Sequence, residues 1–346
     1  MSSLAAKKIL IKDGGFATQL SLHFKEQIDG DPLWSARANA VNPKAVIQSH
    51  FDFLKNGADL ILTNTYQASV EGYMEYLELD EDQSIELIKS TVELAKTARD
   101  EYMDSYKSIN PEDRFDNSHP LIVASIGPYG AHLHDGSEYT GSYADYVKSD
   151  EIIKWHRTRI EACIEAGVDA LAVETIPCQM EAEAVVDLLC DEFPDTKFWV
   201  SFQCKDGSSV AHGEQFKDAV FAVWDKVNKH NCQNNLLAIG VNCINPQVNR
   251  KLELNGSIGF LFSFYFHCIS LSSFRHYSGR LWRVLERTLN RFHLWYIQIV
   301  VRCTMWMTGG LGWNIVLPWN IIFPSGFRWE SRLLEVAVAH MPEMSV

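Results

Sequence analysis

The stretch LLAIGVNCINPQ, Leu236 to Gln247, reads as a buried strand that ends on a cysteine, Cys243, and it divides the chain in two. Upstream, short apolar runs alternate with longer amphipathic ones. The runs are Ile9–Lys12, Leu60–Asn64, Leu121–Ile126, Ala170–Glu174 and Phe198–Gln203, with Leu237–Asn242 as the sixth. Runs that are apolar on both faces predict a parallel sheet covered by helices. Helices are predicted over Pro43–Asn56, Asp80–Tyr106, Ser149–Ala166, Gln179–Glu192 and Gln215–Lys229. In the second of these, Ile85, Ile88, Val92 and Ala95 recur at three- and four-residue spacing behind Asp80, Glu81 and Asp82, whose charges complement the helix dipole.

Six βα units fit either an open doubly wound sheet or a (β/α)8 barrel. The polar residues decide between them. Asp13, Thr63, Asn64, Ser125, Glu174, Gln203 and Cys243 all fall at or just beyond the C-terminal ends of predicted strands, which is where barrel enzymes assemble their sites. A doubly wound fold more often carries a phosphate loop after its first strand, and DGGFATQL at 13–20 lacks the G-x-G-x-x-G spacing. The expected fold class is α/β, a (β/α)8 TIM barrel that is incomplete because the pattern stops after the sixth unit.

Composition bounds the function. A chain of 346 residues, 47% hydrophobic and 22% charged, has the makeup of an ordinary soluble domain. A net charge of -13 speaks against a nucleic-acid partner, since phosphate binding needs clustered Lys and Arg. A small-molecule substrate is the expected partner, and nothing in these residues indicates an oligomeric state. The N-terminus has no apolar signal core, and the eight cysteines form no C-x-x-C pair. Reduced thiols in the cytoplasm are therefore expected.

DGGFATQL at 13–20, LTNTYQAS at 62–69, SIGPYGAHLHDGSEYTGSY at 125–143, AVETIP at 172–177 and GVNC at 240–243 together resemble the homocysteine S-methyltransferase family. The resemblance runs from about residue 10 to residue 247. It implies a zinc-dependent barrel that moves a methyl group from S-methylmethionine or S-adenosylmethionine, with betaine an alternative, to homocysteine, giving methionine. It also implies a Zn2+ held by three cysteines, one matching Cys243 and an adjacent pair in a GGCC motif. The chemistry explains the metal: a thiol near pKa ~8.5 is mostly protonated at neutral pH, and zinc with one open position binds a substrate thiol as its reactive thiolate. No catalytic side chain beyond that activated thiol is implied. By the same resemblance Asp13 and Glu174 hold the substrate's amino group. The backbone amides of Gly14 and Gly15 could serve its carboxylate, and Thr63 and Asn64 could line the pocket. His132 and His134, on a Gly- and Tyr-rich loop without carboxylates at metal spacing, read as ordinary loop residues. An unrelated lyase reading lacks a Schiff-base lysine at a strand end.

After Gln247 the composition changes. Residues 248–346 hold no Asp, ten basic residues against five Glu, and six of the ten Trp. The GGCC motif is absent, so the expected metal site is incomplete. Back-translation accounts for this. Leu334–Ser345, LEVAVAHMPEMS, can be coded so that a one-base shift reads GGCCRTYARN, and the same shift turns Phe292–Thr308 into PLVVYPNSSEVYDVDD. Val248 permits a splice donor after Gln247, and the Phe-rich Phe260–Phe274 resembles a translated pyrimidine tract. We therefore expect two segments, 1–247 as the homocysteine-binding barrel and 248–346 as an out-of-frame tail, in a chain inactive for want of the Cys-Cys pair. Loss of the last two strands would leave strands one and six with open edges. Leu254–Phe274 is long enough to cross a membrane, but Asn255, His267 and its serines weaken that reading. A non-catalytic barrel fragment with a membrane-associating or binding tail is the alternative from another class.

Overall fold

The computed structural model describes residues 9–109, 119–244, 263–270 and 296–303. In chain order the elements are β1 (Ile9–Lys12), α1 (Phe16–Leu20), α2 (Arg37–Val41), α3 (Pro43–Lys55), β2 (Leu60–Leu62), α4 (Val70–Leu77), α5 (Glu81–Ile109), β3 (Leu121–Ile126), α6 (Tyr129–Leu133), α7 (Ser149–Glu165), β4 (Ala170–Ile176), α8 (Gln179–Glu192), β5 (Phe198–Phe202), α9 (Phe216–Lys229), β6 (Leu236–Val241), β7 (Ser263–Ser270) and β8 (Tyr296–Cys303). Strands β1 to β6 pair in parallel, each with its neighbour in sequence. This is an α/β fold, six parallel strands curled as an incomplete (β/α)8 barrel.

Local chemistry sets the helix starts. Asn42 caps α3 by accepting the Ala45 N–H at 3.2 Å, with Pro43 in the first turn, where its missing N–H costs nothing. Asp80 and Gln83 form a reciprocal capping box before α5: Gln83 N–H donates to Asp80 Oδ1 at 2.8 Å, and Asp80 N–H donates to Gln83 Oε1 at 3.0 Å.

The apolar strand residues divide between two layers. Leu10, Leu60, Leu62, Leu121, Val123, Ala170, Ala172, Trp199 and Ala238 pack together inside the curl. The alternate residues, among them Ile61, Ile122, Leu171, Val173, Val200 and Ile239, face the helices. Strict alternation then places Lys12, two residues beyond Leu10, on the inner face, above the packed floor.

The strands end differently from the sequence expectation at two positions that matter. β2 stops at Leu62, so Thr63 and Asn64 lie in the segment that follows it, whereas β4 continues past Glu174 to Ile176, with a register shift against β5 between Val173 and Ile176. The tail brings a further difference. The β1 edge is not open: β8 pairs with it antiparallel, Ile9 opposite Val301 and Lys12 opposite Gln298, and β7 pairs antiparallel with β8. The sheet order β6-β5-β4-β3-β2-β1-β8-β7 puts β6 and β7 at its two ends, which lie near one another. An unpaired row of backbone groups is an acceptor for any extended segment, whatever its sequence. β8 thus runs against the parallel direction of a (β/α)8 barrel, and β7, antiparallel to β8, runs with β1.

Part of Leu254–Phe274 forms strand β7, and among the described residues no helix is long and apolar enough to cross a membrane. The Gln247–Val248 junction and Leu334–Ser345 lie outside the described residues.

The thiols also depart from expectation. Cys190, near the end of α8, and Cys232, after α9, form a disulfide with Cα atoms 5.9 Å apart. A spacing of 42 residues gives no hint of the pair; packing of α8 against α9 brings it together.

Candidate active site

The strand ends β1, β3, β4 and β6 converge on one polar mouth. Asp13, directly after β1, is 2% exposed, and both its oxygens are engaged: Oδ1 with Lys12 Nζ at 2.9 Å and Oδ2 with the Leu62 N–H at 2.7 Å. Glu174 is 8% exposed and accepts a 2.5 Å hydrogen bond from Ser125 Oγ. Burial raises the pKa of both carboxyls, opposed in each case by the Lys12 ammonium. Lys12 is itself 7% exposed. Burial works against its charge, but Asp13, Glu174 and Cys243 outweigh that and raise its pKa.

Cys243 follows β6 and is exposed, with φ at 52°. Thr175, next to Glu174, has φ at 61°. Left-handed backbone is uncommon for a β-branched residue and gathers at functional sites. The two residues meet, Thr175 Oγ1 lying 3.8 Å from Cys243 Sγ. Asn242 joins them: its amide lies 3.4 Å from the same sulfur and hydrogen bonds to Thr175. Gln203, with its amide nitrogen turned toward β6, donates to the Cys243 carbonyl at 2.8 Å.

The remaining expected residues have other partners as well. Gly14 and Gly15 form the turn from β1 into α1, and Gly15 O accepts the Gln19 N–H at 3.1 Å. Thr63 Oγ1 bonds Thr65 Oγ1 at 2.6 Å and accepts from Ser125 N–H at 3.3 Å, tying β2 to β3. The Asn64 amide is engaged by Ser35 and Asn39, anchoring α2 and the turn before it. His132 lies 3.5 Å from Ser69 Oγ, and His134 bonds Gln67 at 3.0 Å.

Three residues are missing from the sequence reading. Lys12 is a lysine at a strand end, contrary to the expectation that none is there; in the sequence it is only the polar end of an apolar run. Tyr66, within electrostatic reach of Cys243 and Glu174, has its phenol pushed well above the usual value, chiefly by burial. Arg159 lies under the mouth, 2% exposed, over the Trp155 ring, donating to the carbonyls of Thr65, Tyr66 and Gly127 at 2.8, 2.9 and 3.2 Å. A mid-helix arginine gives no local sign of that task.

Zinc on three thiolates does not fit the described residues. The Thr175 hydroxyl and the Asn242 amide lie against Cys243 Sγ, and no group of three or more His, Cys, Asp or Glu able to hold a metal forms among the described residues.

A sequence model of the family described as "Homocysteine S-methyltransferase" matches residues 10–258. A betaine-homocysteine S-methyltransferase of Drosophila melanogaster is 54% identical over 240 residues, 69% of this chain and 71% of that protein. Homocysteine S-methyltransferase 1 of Arabidopsis thaliana is 39% identical over 243 residues, 70% of each. Among solved structures, the metallated form of the homocysteine methyltransferase MmuM from Escherichia coli superposes with a TM-score of 0.62 at 34% identity, over 74% of this chain and 82% of that one. The match spans most of the chain, and the chain therefore belongs to the homocysteine S-methyltransferase family.

Proposed function

We propose that the mouth binds L-homocysteine, Glu174 and Asp13 receiving its ammonium end and the β6 terminus at Cys243 receiving its thiol. The observation that carries this reading is the convergence of two buried carboxylates, from β1 and β4, and of the cysteine that ends β6 around one ammonium, that of Lys12. In a complete member of the family Zn2+ would supply thiolate activation. With only Cys243 of the three implied ligands in hand, this chain is read as a binder that does not transfer methyl groups: an unactivated thiol stays mostly protonated at neutral pH.

The identity of the relative from Drosophila brings betaine forward beside S-methylmethionine and S-adenosylmethionine as the donor of an active relative. We place the family domain at 1–247 and read 248–346 as out-of-frame sequence; sequencing the transcript across the Gln247 and Val248 codons tests that division. A cytoplasmic location fits a small-molecule substrate. Reducing conditions there would open Cys190–Cys232.

Calorimetric titration of the full chain with L-homocysteine tests the main reading. Measurable binding is expected, weakened about tenfold or more in Glu174→Gln, since a charge-assisted hydrogen bond is lost. Zinc content below one equivalent, and no methionine from any of the three donors, are expected alongside. Absence of binding sinks the reading, and methionine formation sinks the inactivity.

A further inference from the structure

Lys12 enters the mouth from the packed floor and gives Asp13 a cation of its own. One Asp13 oxygen is on that ammonium at 2.9 Å and the other is on a backbone N–H. Glu174 is held instead by a neutral hydroxyl, and among the described residues no cation lies within ion-pair distance of it. Among the described residues these are two carboxylates and one ammonium, and two of the three charges cancel at contact. A ligand ammonium meets the attraction of Glu174 and the repulsion of Lys12. A ligand carboxylate is drawn to Lys12. Burial keeps both effects from being screened as they would be in open solvent.

We propose that Lys12 is a specificity-determining residue of the amino-acid site: by neutralising Asp13 it leaves Glu174 as the uncompensated anion, so the mouth prefers a ligand with one ammonium and one carboxylate over an amine without the carboxylate. The proposal rests on the homocysteine-binding reading and deepens it. Asp13, on this account, acts at the ammonium end through its pairing with Lys12, and Glu174 supplies the uncompensated negative charge there.

The test is calorimetric binding of two probes, L-homocysteine and its decarboxylated analogue 3-aminopropane-1-thiol, to the full chain and its variants. The wild type is expected to favour homocysteine. Lys12→Met unmasks Asp13 and moves the ratio of affinities by about tenfold toward the amine. Asp13→Asn leaves Lys12 unpaired and moves it by a similar factor the other way. The double variant removes the whole pair and brings the ratio back toward that of the wild type. Circular dichroism checks folding, and should Lys12→Met not fold, Asp13→Asn and the double variant still decide. If the ratio is unmoved in the folded variants while both probes bind, the proposal is overturned and the homocysteine reading stands. If the wild type binds neither probe, both fall together.

Discussion

Asn242 holds Thr175 at two points: its Oδ1 accepts the Thr175 N–H and its Nδ2 donates to Thr175 Oγ1, each at 2.8 Å. Ser201 Oγ donates to the same Oδ1 at 2.8 Å, so one buried amide from the β6 end fastens the ends of β4 and β5. A left-handed threonine costs about 1–3 kcal/mol and persists only where its surroundings over-determine it. Asn242 supplies that constraint, and through it the backbone next to Glu174 is fixed relative to Cys243. Asn242→Ala is expected to lower stability by about 2–4 kcal/mol, since it removes three buried hydrogen bonds. Urea unfolding measures it, and a loss under about 1 kcal/mol would mean that Thr175 is held by something else.

Gly127 is a second point of close approach. A Cβ there would lie 2.5 Å from the Tyr66 carbonyl oxygen and 2.7 Å from the Tyr66 ring. Both that carbonyl and the Gly127 carbonyl are bonded by Arg159, so neither segment can yield without losing a buried guanidinium contact. Gly127→Ala is expected to destabilise by about 1–3 kcal/mol through overpacking. A thermal melt within a degree of the wild type would show that the loop yields freely.

His50 makes the fold sensitive to acid. It is fully buried on α3 beside Phe16, and neither ring nitrogen has a hydrogen-bond partner among the described residues. Burial lowers its pKa to about 3. The unfolded chain takes up this proton near pH 6.5 and the native state does not. Stability is therefore lost as pH falls below 6.5, at about 1.4 kcal/mol per unit, levelling off near 3. In His50→Leu that contribution to the slope between pH 6 and pH 4 should vanish. Identical pH profiles for variant and wild type in urea unfolding would refute the assignment.

The Cys190–Cys232 bond closes a loop spanning 42 residues. Chain-entropy arguments assign such a loop on the order of 4 kcal/mol, an upper figure for most measured cases. Alkylation under non-reducing, denaturing conditions is expected to leave both residues unlabelled and joined in one peptide pair. Reductant should lower the urea midpoint by an amount that Cys190→Ala/Cys232→Ala reproduces. Recovery of both as labelled thiols from oxidised protein would count against the bond.

The six strands and the polar residues at their ends were legible because both are local properties. Apolar runs mark strands wherever they pack, and Asp13, Glu174 and Cys243 stand next to theirs in the chain. Even so, β2 and β4 end where pairing with their neighbours ends, which no single run encodes. Asn64 illustrates the limit: its type suits a pocket lining, but its amide is engaged by Ser35 and Asn39, residues from a segment without a strand or helix periodicity of its own.

By itself the sequence determined the α/β class, the order of the units and the chemical types available at the mouth, since periodicity and residue identity survive without neighbours. Only the tertiary structure decided which of those groups meet. Ser125 finds Glu174 across 49 residues and Asn242 finds Thr175 across 67, while Cys190 finds Cys232 and β8 covers the β1 edge. The physical reason is that a side chain's charge and hydrogen-bonding capacity belong to the residue, whereas its partner is set by which strands and helices pack side by side. Lys12 shows both halves: one residue from Asp13 in the chain, it acts as that residue's counter-ion only because β1 turns both into the same buried mouth.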